Sequence, residues 1–65
     1  MKTRKQLEDR ATKAINEREG IVYQVAAAHK VAPSRIHEGW FHAEVMLHIA
    51  RTSKEYGHLK EEVYA

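Results

Sequence analysis

The chain of 65 residues has room for one domain with a small hydrophobic core, so a monomer would be only marginally stable without further support. It contains no cysteine, which excludes disulfides and thiolate metal sites and is typical of a reducing compartment, so we expect a cytoplasmic protein. The formal net charge is +2, and the whole basic excess lies in residues 1–19. An excess this small gives only weak support to nucleic-acid binding.

No signal peptide or membrane-spanning segment is visible in the sequence. The first ten residues, MKTRKQLEDR, carry charges without an apolar run behind them. The longest apolar-rich stretch, residues 40–50, is interrupted by His42, Glu44 and His48 and is too short to cross a bilayer. We therefore expect no membrane partner.

Apolar residues at helical spacing predict a first helix over residues 3–19. The apolar stripe of this helix consists of Leu7, Ala11, Ala14 and Ile15. Thr3 is a suitable N-cap, and Gly20 suits the left-handed position that follows many helices. The stripe is thin, so this helix has to pack against other elements to persist.

The next two segments predict a pair of short helices joined by a tight turn. Residues 21–30 are rich in alanine and free of helix breakers, which predicts helix two. Pro33 lacks the amide donor that the first turn of a helix leaves unused, so it is expected to open helix three, with Ser34 next. Gly39 is expected to end or bend that helix.

Residues 40–51 form the most apolar segment and predict a helix that is apolar on several sides. Such a helix has to be covered on more than one side, and a second copy of the chain would supply that cover. We therefore expect a homodimer or a higher oligomer. The expected interface residues are Phe41, Val45, Met46 and Ile49.

The tail, residues 52–65, places apolar residues at helical spacing but contains Gly57, so we expect a helix that is partly frayed. Its apolar residues are Tyr56, Leu59 and Val63. Together, these segments predict an all-α fold of three or four helices in a single domain, residues 1–65. The expected core contains Leu7, Ile15, Val25, Ala26, Val31, Ile36, Trp40 and Leu47.

The stretch VAAAHKVAPSRIHEGW, residues 25–40, has the residue spacing of a DNA-binding helix-turn-helix. In such a unit a small residue, here Ala26, lets the second helix cross the first closely. Val31 follows the turn and would fill the gap between the helices. Ile36 lies five residues later and would anchor the second helix.

Over residues 22–41 the sequence resembles the helix-turn-helix of small phage transcription regulators. With one helix before this unit and an apolar helix after it, the helix order is similar to that of the CII-type activators, which are tetrameric DNA-binding proteins. Lys30 departs from the family pattern, because glycine is most common at that turn position. Gly39 departs as well, because it stands where the family keeps an apolar anchor.

The resemblance implies sequence-specific binding of double-stranded DNA by a small phage or bacterial transcription regulator that acts as an oligomer. The side chains that would contact DNA are Gln24, Lys30, Pro33, Ser34, Arg35, His37 and Glu38. Arg35 has the two-pronged donor geometry that recognises guanine, whereas Lys30 and Gln24 would contact phosphates. Glu38 would accept a hydrogen bond from cytosine, or pair with Arg35 and so discourage binding to wrong sites.

Five histidines raise the hypothesis of a metal site, but the spacing does not favour it. Glu38 and His42 are four residues apart, as are Glu44 and His48, which places each pair on one helical face. Without cysteine or a third convergent ligand, a charge pair along the helix explains Glu44 and His48 more simply. The sequence also has no phosphate-binding glycine loop and no nucleophile motif, so we expect neither an enzyme nor a cofactor.

An alternative function is a small helical interaction module, such as a phage-encoded inhibitor or adaptor that docks on a larger protein. Trp40 and Phe41 are adjacent, so on a helix their side chains point in different directions. One of them can enter the core while the other is left for a partner. Exposed aromatic residues are common anchors of protein interfaces.

Overall fold

The computed structural model describes residues 1–64, and over that range the chain is all-α, as predicted. Its elements are α1 (Arg4–Asn16), α2 (Gly20–His29), a 3₁₀ helix (Pro33–Arg35), α3 (Gly39–Thr52) and a second 3₁₀ helix (Lys54–Leu59). None of the helices in this range has both the length and the apolar character needed to cross a membrane. We call residues 17–19 the α1–α2 junction and residues 30–38 the α2–α3 junction.

Helix α1 begins with the cap that the sequence predicts and ends earlier than expected. The hydroxyl of Thr3 accepts from the Gln6 amide (3.2 Å), and the Gln6 side chain accepts from the Thr3 amide (2.8 Å). The helix ends at Asn16, and the left-handed residue that follows is Arg18, with φ of 54°. The prediction that Gly20 takes this conformation is therefore wrong, because Gly20 is the first residue of α2.

The buried side chains form one core, to which all three α-helices contribute. Of the residues predicted to lie in the core, Leu7, Ile15, Val25 and Ile36 are buried, and Ala26, Val31 and Leu47 pack against the core while partly exposed. Trp40 is the exception, because 43% of its surface is exposed. Phe41, its neighbour, is completely buried instead, so the adjacent aromatic residues divide between surface and core.

The apolar faces of α3 are covered within a single chain. Phe41, Val45, Met46 and Ile49 are only 0–5% exposed. Assigning these four residues to an oligomer interface was therefore wrong, because a second copy could not reach them in the folded chain. α3 is covered on more than one side, as its apolar pattern predicts, and α1, α2 and the tail provide that cover.

The tail packs onto the helices as a 3₁₀ helix followed by turns. Its predicted apolar residues, Tyr56, Leu59 and Val63, are all buried. The Arg4 guanidinium donates to the carbonyl oxygens of Glu62 and Val63, which ties the tail to the start of α1. His58 donates to the Lys2 carbonyl oxygen (2.7 Å). The last position of the predicted tail, Ala65, lies outside the described residues.

The α2–α3 junction contains a 3₁₀ turn where an α-helix was predicted. Only Pro33–Arg35 is helical, and Glu38 has extended backbone (φ −70°, ψ 146°) as the N-cap of α3. Five residues between Pro33 and Gly39 cannot repay the cost of nucleating an α-helix, because too few backbone bonds would form. The prediction that Gly39 ends or bends a helix is wrong, because Gly39 is the first residue of α3.

Candidate nucleic-acid interface

The α2–α3 junction is fixed at both ends by its backbone and its apolar side chains. Lys30 is left-handed (φ 54°, ψ 47°), a conformation that costs a non-glycine residue about 1 kcal/mol. The amide of Val31 donates to the Ala26 carbonyl (2.9 Å), which closes the end of α2. Ile36 is buried, and Val31 packs against the core, so both anchor the junction as the sequence predicted.

This anchoring leaves the polar side chains of the junction at the surface. The predicted DNA contacts Lys30, Pro33, Ser34, Arg35 and His37 are all exposed, and Glu38 is half-buried. The structure therefore brings six of the seven predicted site residues together in one segment. Gln24 is not among them, because it lines a groove with Leu47 and Arg51 between α2 and α3. Ala26 and Pro33 line a different groove.

A network of hydrogen bonds connects Arg35, Glu38 and Trp40. Arg35 donates through Nε to Oε1 of Glu38 (3.0 Å) and through Nη2 to Oε2 (3.2 Å). The indole Nε1 of Trp40 also donates to Oε2. The Arg35 guanidinium is the main cause that lowers the pKa of Glu38 below 4.5, followed by the Trp40 hydrogen bond. Glu38 is thus a carboxylate that its neighbours hold in the charged state.

Trp40 was missed as a surface residue because the sequence placed it in the core. Its ring meets the rings of His29 and Phe41 edge-on, with centroids 6.2 Å and 6.0 Å away. The signal available in the sequence was its adjacency to Phe41, which showed that one of the two must face outward. Periodicity alone did not show which one, because both positions border the apolar face of α3.

Arg18 is a second residue that the sequence did not single out. It lines a groove of about 280 Å³ with Val22, Tyr23, Ala26, Val31, Pro33 and Ile36. This groove places an exposed cation from the α1–α2 junction beside the apolar residues of the α2–α3 junction. No pattern distinguished Arg18 from the other charges of residues 1–19, since its importance depends on where the chain turns.

Two other histidines, His42 and His29, connect elements of the fold. His42 donates through Nε2 to the Glu8 carbonyl oxygen (3.1 Å), and Thr12 Oγ1 is also 3.1 Å from this nitrogen, which ties α3 to α1. Glu44 pairs with His29 (3.2 Å), so the prediction that it pairs with His48 is wrong. Across residues 1–64, no group of three or more histidine, cysteine, aspartate or glutamate side chains is arranged to hold a metal ion.

Tyr64 donates its hydroxyl proton to the same Glu44 carboxylate. Burial raises the pKa of Tyr64 to about 12, and the hydrogen bond to Glu44 acts in the same direction. The phenol therefore stays protonated over the physiological range. This contact holds the tail against α3 and is structural in character.

No protein-family model matches the chain, and no curated protein or solved structure is significantly similar to it. The geometry of the α2–α3 junction is therefore the main basis for assigning a function.

Proposed function

We propose that the chain binds double-stranded DNA through the α2–α3 junction. The observation that supports this proposal is the left-handed turn at Lys30, with Val31 and Ile36 packed inward and the polar side chains of residues 33–37 exposed. A helix-turn-helix likewise packs apolar residues inward around its turn and presents polar side chains from the segment that follows, which there is an α-helix. The resemblance to phage transcription regulators supports a regulatory role, in the cytoplasm, for the same surface.

The contact would differ from that of an ordinary helix-turn-helix, because a single 3₁₀ turn stands where a recognition helix would enter the major groove. We assign base recognition to Arg35, whose guanidinium can donate two hydrogen bonds to one guanine. Lys30 and Ser34 would contact phosphates, which position the protein without recognising sequence. Arg18 is exposed at the groove beside Pro33 and would add a further phosphate contact.

We assign DNA binding to the single chain. The large apolar side chains of α3, which gave the reason to expect an oligomer, are already covered by the chain itself. Sedimentation of the free protein and of its complex with a short duplex tests this part of the proposal. A complex that contains two chains per duplex, with no dimer in the free protein, would show that the chain dimerises only when it binds DNA.

The proposal is tested by titrating a labelled random-sequence duplex over a salt series. The wild type should bind at low salt and weaken steeply as salt rises, because phosphate contacts release counterions. Lys30→Ala should reduce the slope of log affinity against log salt by about 0.9, the value of one phosphate contact. Lys54→Ala, which removes the same charge from the tail, is the matched control and should leave the slope unchanged. A wild type that binds no duplex at low salt contradicts the proposal.

Sequence recognition requires a second experiment, on a duplex selected from a random pool. Arg35→Ala should lower affinity for the selected duplex at least tenfold, because a bidentate base contact is lost. Its affinity for a scrambled duplex should fall by a smaller factor, because only the counterion of Glu38 is lost there. An equal loss on both duplexes would show that Arg35 does not recognise bases.

A second candidate function, docking on a larger protein, is favoured by the exposure of Trp40. Tryptophan is enriched among the residues that contribute most to protein interfaces. The two functions differ in how they respond to Trp40→Ala: duplex binding at low salt through Lys30 and Arg35 should persist in this variant. A protein partner recovered with the wild type and lost with Trp40→Ala would support docking.

A further inference from the structure

Glu38 occupies one edge of the Arg35 side chain. Its carboxylate accepts from both Nε and Nη2 of Arg35, so it faces the guanidinium in a two-pronged pair. A guanidinium paired in this way has its charge largely balanced, and one of its donor edges is used. Arg35 is 60% exposed and Glu38 42% exposed at the side chain, so water and other ligands can reach the pair.

Contacts with the start of α3 fix the position of Glu38. Its carbonyl oxygen accepts from the amides of Phe41 (3.1 Å) and His42 (3.2 Å) at the start of α3. Its carboxylate accepts from the Trp40 indole, and the Trp40 ring packs edge-on against the buried Phe41. Glu38 is therefore the fixed partner of the pair, and the longer, more exposed Arg35 is the one that can leave.

We propose that Glu38 is a positioning residue that withholds Arg35 from the phosphate backbone of DNA. This inference rests on the proposed function. On a duplex where Arg35 could reach only phosphates, it would stay paired with Glu38. Moving Arg35 away would leave the Glu38 carboxylate facing the DNA polyanion without its counterion. Non-specific DNA would then be held by Lys30 and other cations, while Arg35 leaves Glu38 only where a base offers two acceptors.

The number of phosphate contacts can be counted from the salt dependence of binding, and this count tests the inference. In Glu38→Gln the charge that holds Arg35 is gone, so Arg35 becomes a free cation beside the duplex. The slope of log affinity against log salt on a random-sequence duplex should become steeper by about 0.9, the value of one added contact. Glu61→Gln, which makes the same charge change in the tail, is the matched control and should leave the slope at the wild-type value.

The dependence on Arg35 is tested by combining substitutions. Arg35→Ala should leave the random-duplex slope of the wild type unchanged, and should reverse the added slope in the Glu38→Gln background. Trp40→Phe keeps the ring but removes the donor that fixes the carboxylate, so its slope should lie between those of the wild type and Glu38→Gln. All three residues are at the surface or half-buried, and circular dichroism will verify that each variant stays helical.

The outcomes separate this inference from the proposed function. If the wild type binds DNA but Glu38→Gln behaves like Glu61→Gln, the inference is overturned and the proposed function stands. The inference is also overturned if Arg35→Ala does not reverse the added slope, because Glu38 would then act only through its own charge. If no variant binds duplex at low salt, both are overturned.

Discussion

The two junctions between helices share a left-handed backbone turn but differ in length and in the ion pair that each contains. Each contains a non-glycine residue with φ of 54°, Arg18 in the α1–α2 junction and Lys30 in the α2–α3 junction. The first junction is closed by Arg10 of α1, which donates through two nitrogens to Glu19 (2.7 and 3.0 Å). The second is longer, and its ion pair, Arg35–Glu38, lies entirely within the junction.

The difference between the ion pairs indicates what each junction does. The side chains of Arg10 and Glu19 are 36% and 28% exposed, and their pair connects α1 to the residue before α2, nine positions along the chain. The pair in the second junction is more exposed and connects residues only three apart. The first pair therefore ties the α1–α2 junction back to α1, whereas in our proposal the second holds Arg35 at the surface until DNA binds.

The largest effect is expected from Met46→Glu, which disrupts the core on which both junctions depend. Met46 is buried within the chain, so a carboxylate there would lose its hydration without gaining a partner. We expect a loss of about 4 kcal/mol or more in the free energy of unfolding, enough to unfold so small a domain. Ala27→Glu, on the exposed side of α2, is the control and should stay folded.

Circular dichroism and sedimentation together measure this effect. We expect loss of helical signal in Met46→Glu at temperatures where the wild type is folded. A variant that stays helical and has a smaller oligomeric mass than the wild type would instead place Met46 in an interface between chains.

The next largest effects are expected from replacing two buried isoleucines with alanine. Ile15 lies near the end of α1, and Ile36 lies within the α2–α3 junction. Both residues are 4% exposed, and each substitution should lower the free energy of unfolding by about 2 to 5 kcal/mol in denaturant titrations. Only Ile36→Ala should also weaken duplex binding under conditions where the protein remains folded, because Ile36 anchors the proposed interface. Equal loss of binding in both variants would mean that the α2–α3 junction has no special role.

A smaller effect is expected from glycine at the two left-handed residues. Arg18→Gly and Lys30→Gly should each relieve a backbone conformation that costs about 1 kcal/mol, partly offset by the greater freedom of glycine in the unfolded chain. We expect both variants to melt at or above the wild-type temperature. Lys13→Gly, inside α1, is the control and should be destabilised by about 1 kcal/mol. A marked loss of stability in only one of the two glycine variants would show that the two left-handed turns are not equivalent.

The smallest effect is on the pH dependence of stability. Hydrogen bonds from Arg10 and Arg35 are the main causes that lower the pKa values of Glu19 and Glu38 below 4.5. A pKa that is lower in the folded chain gives stability that is present above pH 4.5 and is lost as pH falls through the folded-state pKa. Thermal melts in a series of buffers from neutral pH to below pH 4.5 should therefore show an acid-induced decrease.

Glutamine substitutions assign that decrease to the two carboxylates. Glu19→Gln should remove more of it than Glu38→Gln, because the Arg10–Glu19 pair is shorter and less exposed. If Glu38→Gln removes the larger part, the second ion pair is the stronger one, and the contrast between the junctions is reversed.

Much of the fold could be predicted from the sequence because its signals are local. Thr3 and Gln6 have the spacing of a capping box, and the apolar residues of α1 recur at the helical period. The breaker-free stretch that forms α2 ends at His29, one residue before the predicted end, with Lys30 as its C-cap. These features depend on neighbours within one or two turns, which a single sequence displays directly.

The features that could not be predicted depend on contacts distant along the chain. The apolar pattern of α3 shows that this helix needs cover. The pattern is the same whether Tyr56 and Leu59 of the tail or a second chain supplies that cover. The left-handed conformation falls on Arg18 although Gly20 is intrinsically better suited to it. Likewise, Pro33 begins a 3₁₀ turn, because the chain has to reach the start of α3 within a few residues.

Amide nuclear magnetic resonance of the wild type, titrated with a random-sequence duplex at low salt, tests DNA binding by the α2–α3 junction most directly. We predict that the signals which shift will be concentrated in residues 30–38 and at the Arg18 end of the neighbouring groove. Signals from the tail helix Lys54–Leu59 should stay in place and serve as the internal control. No shifts at saturating duplex, or shifts centred on the tail, would contradict the assignment of this surface to DNA.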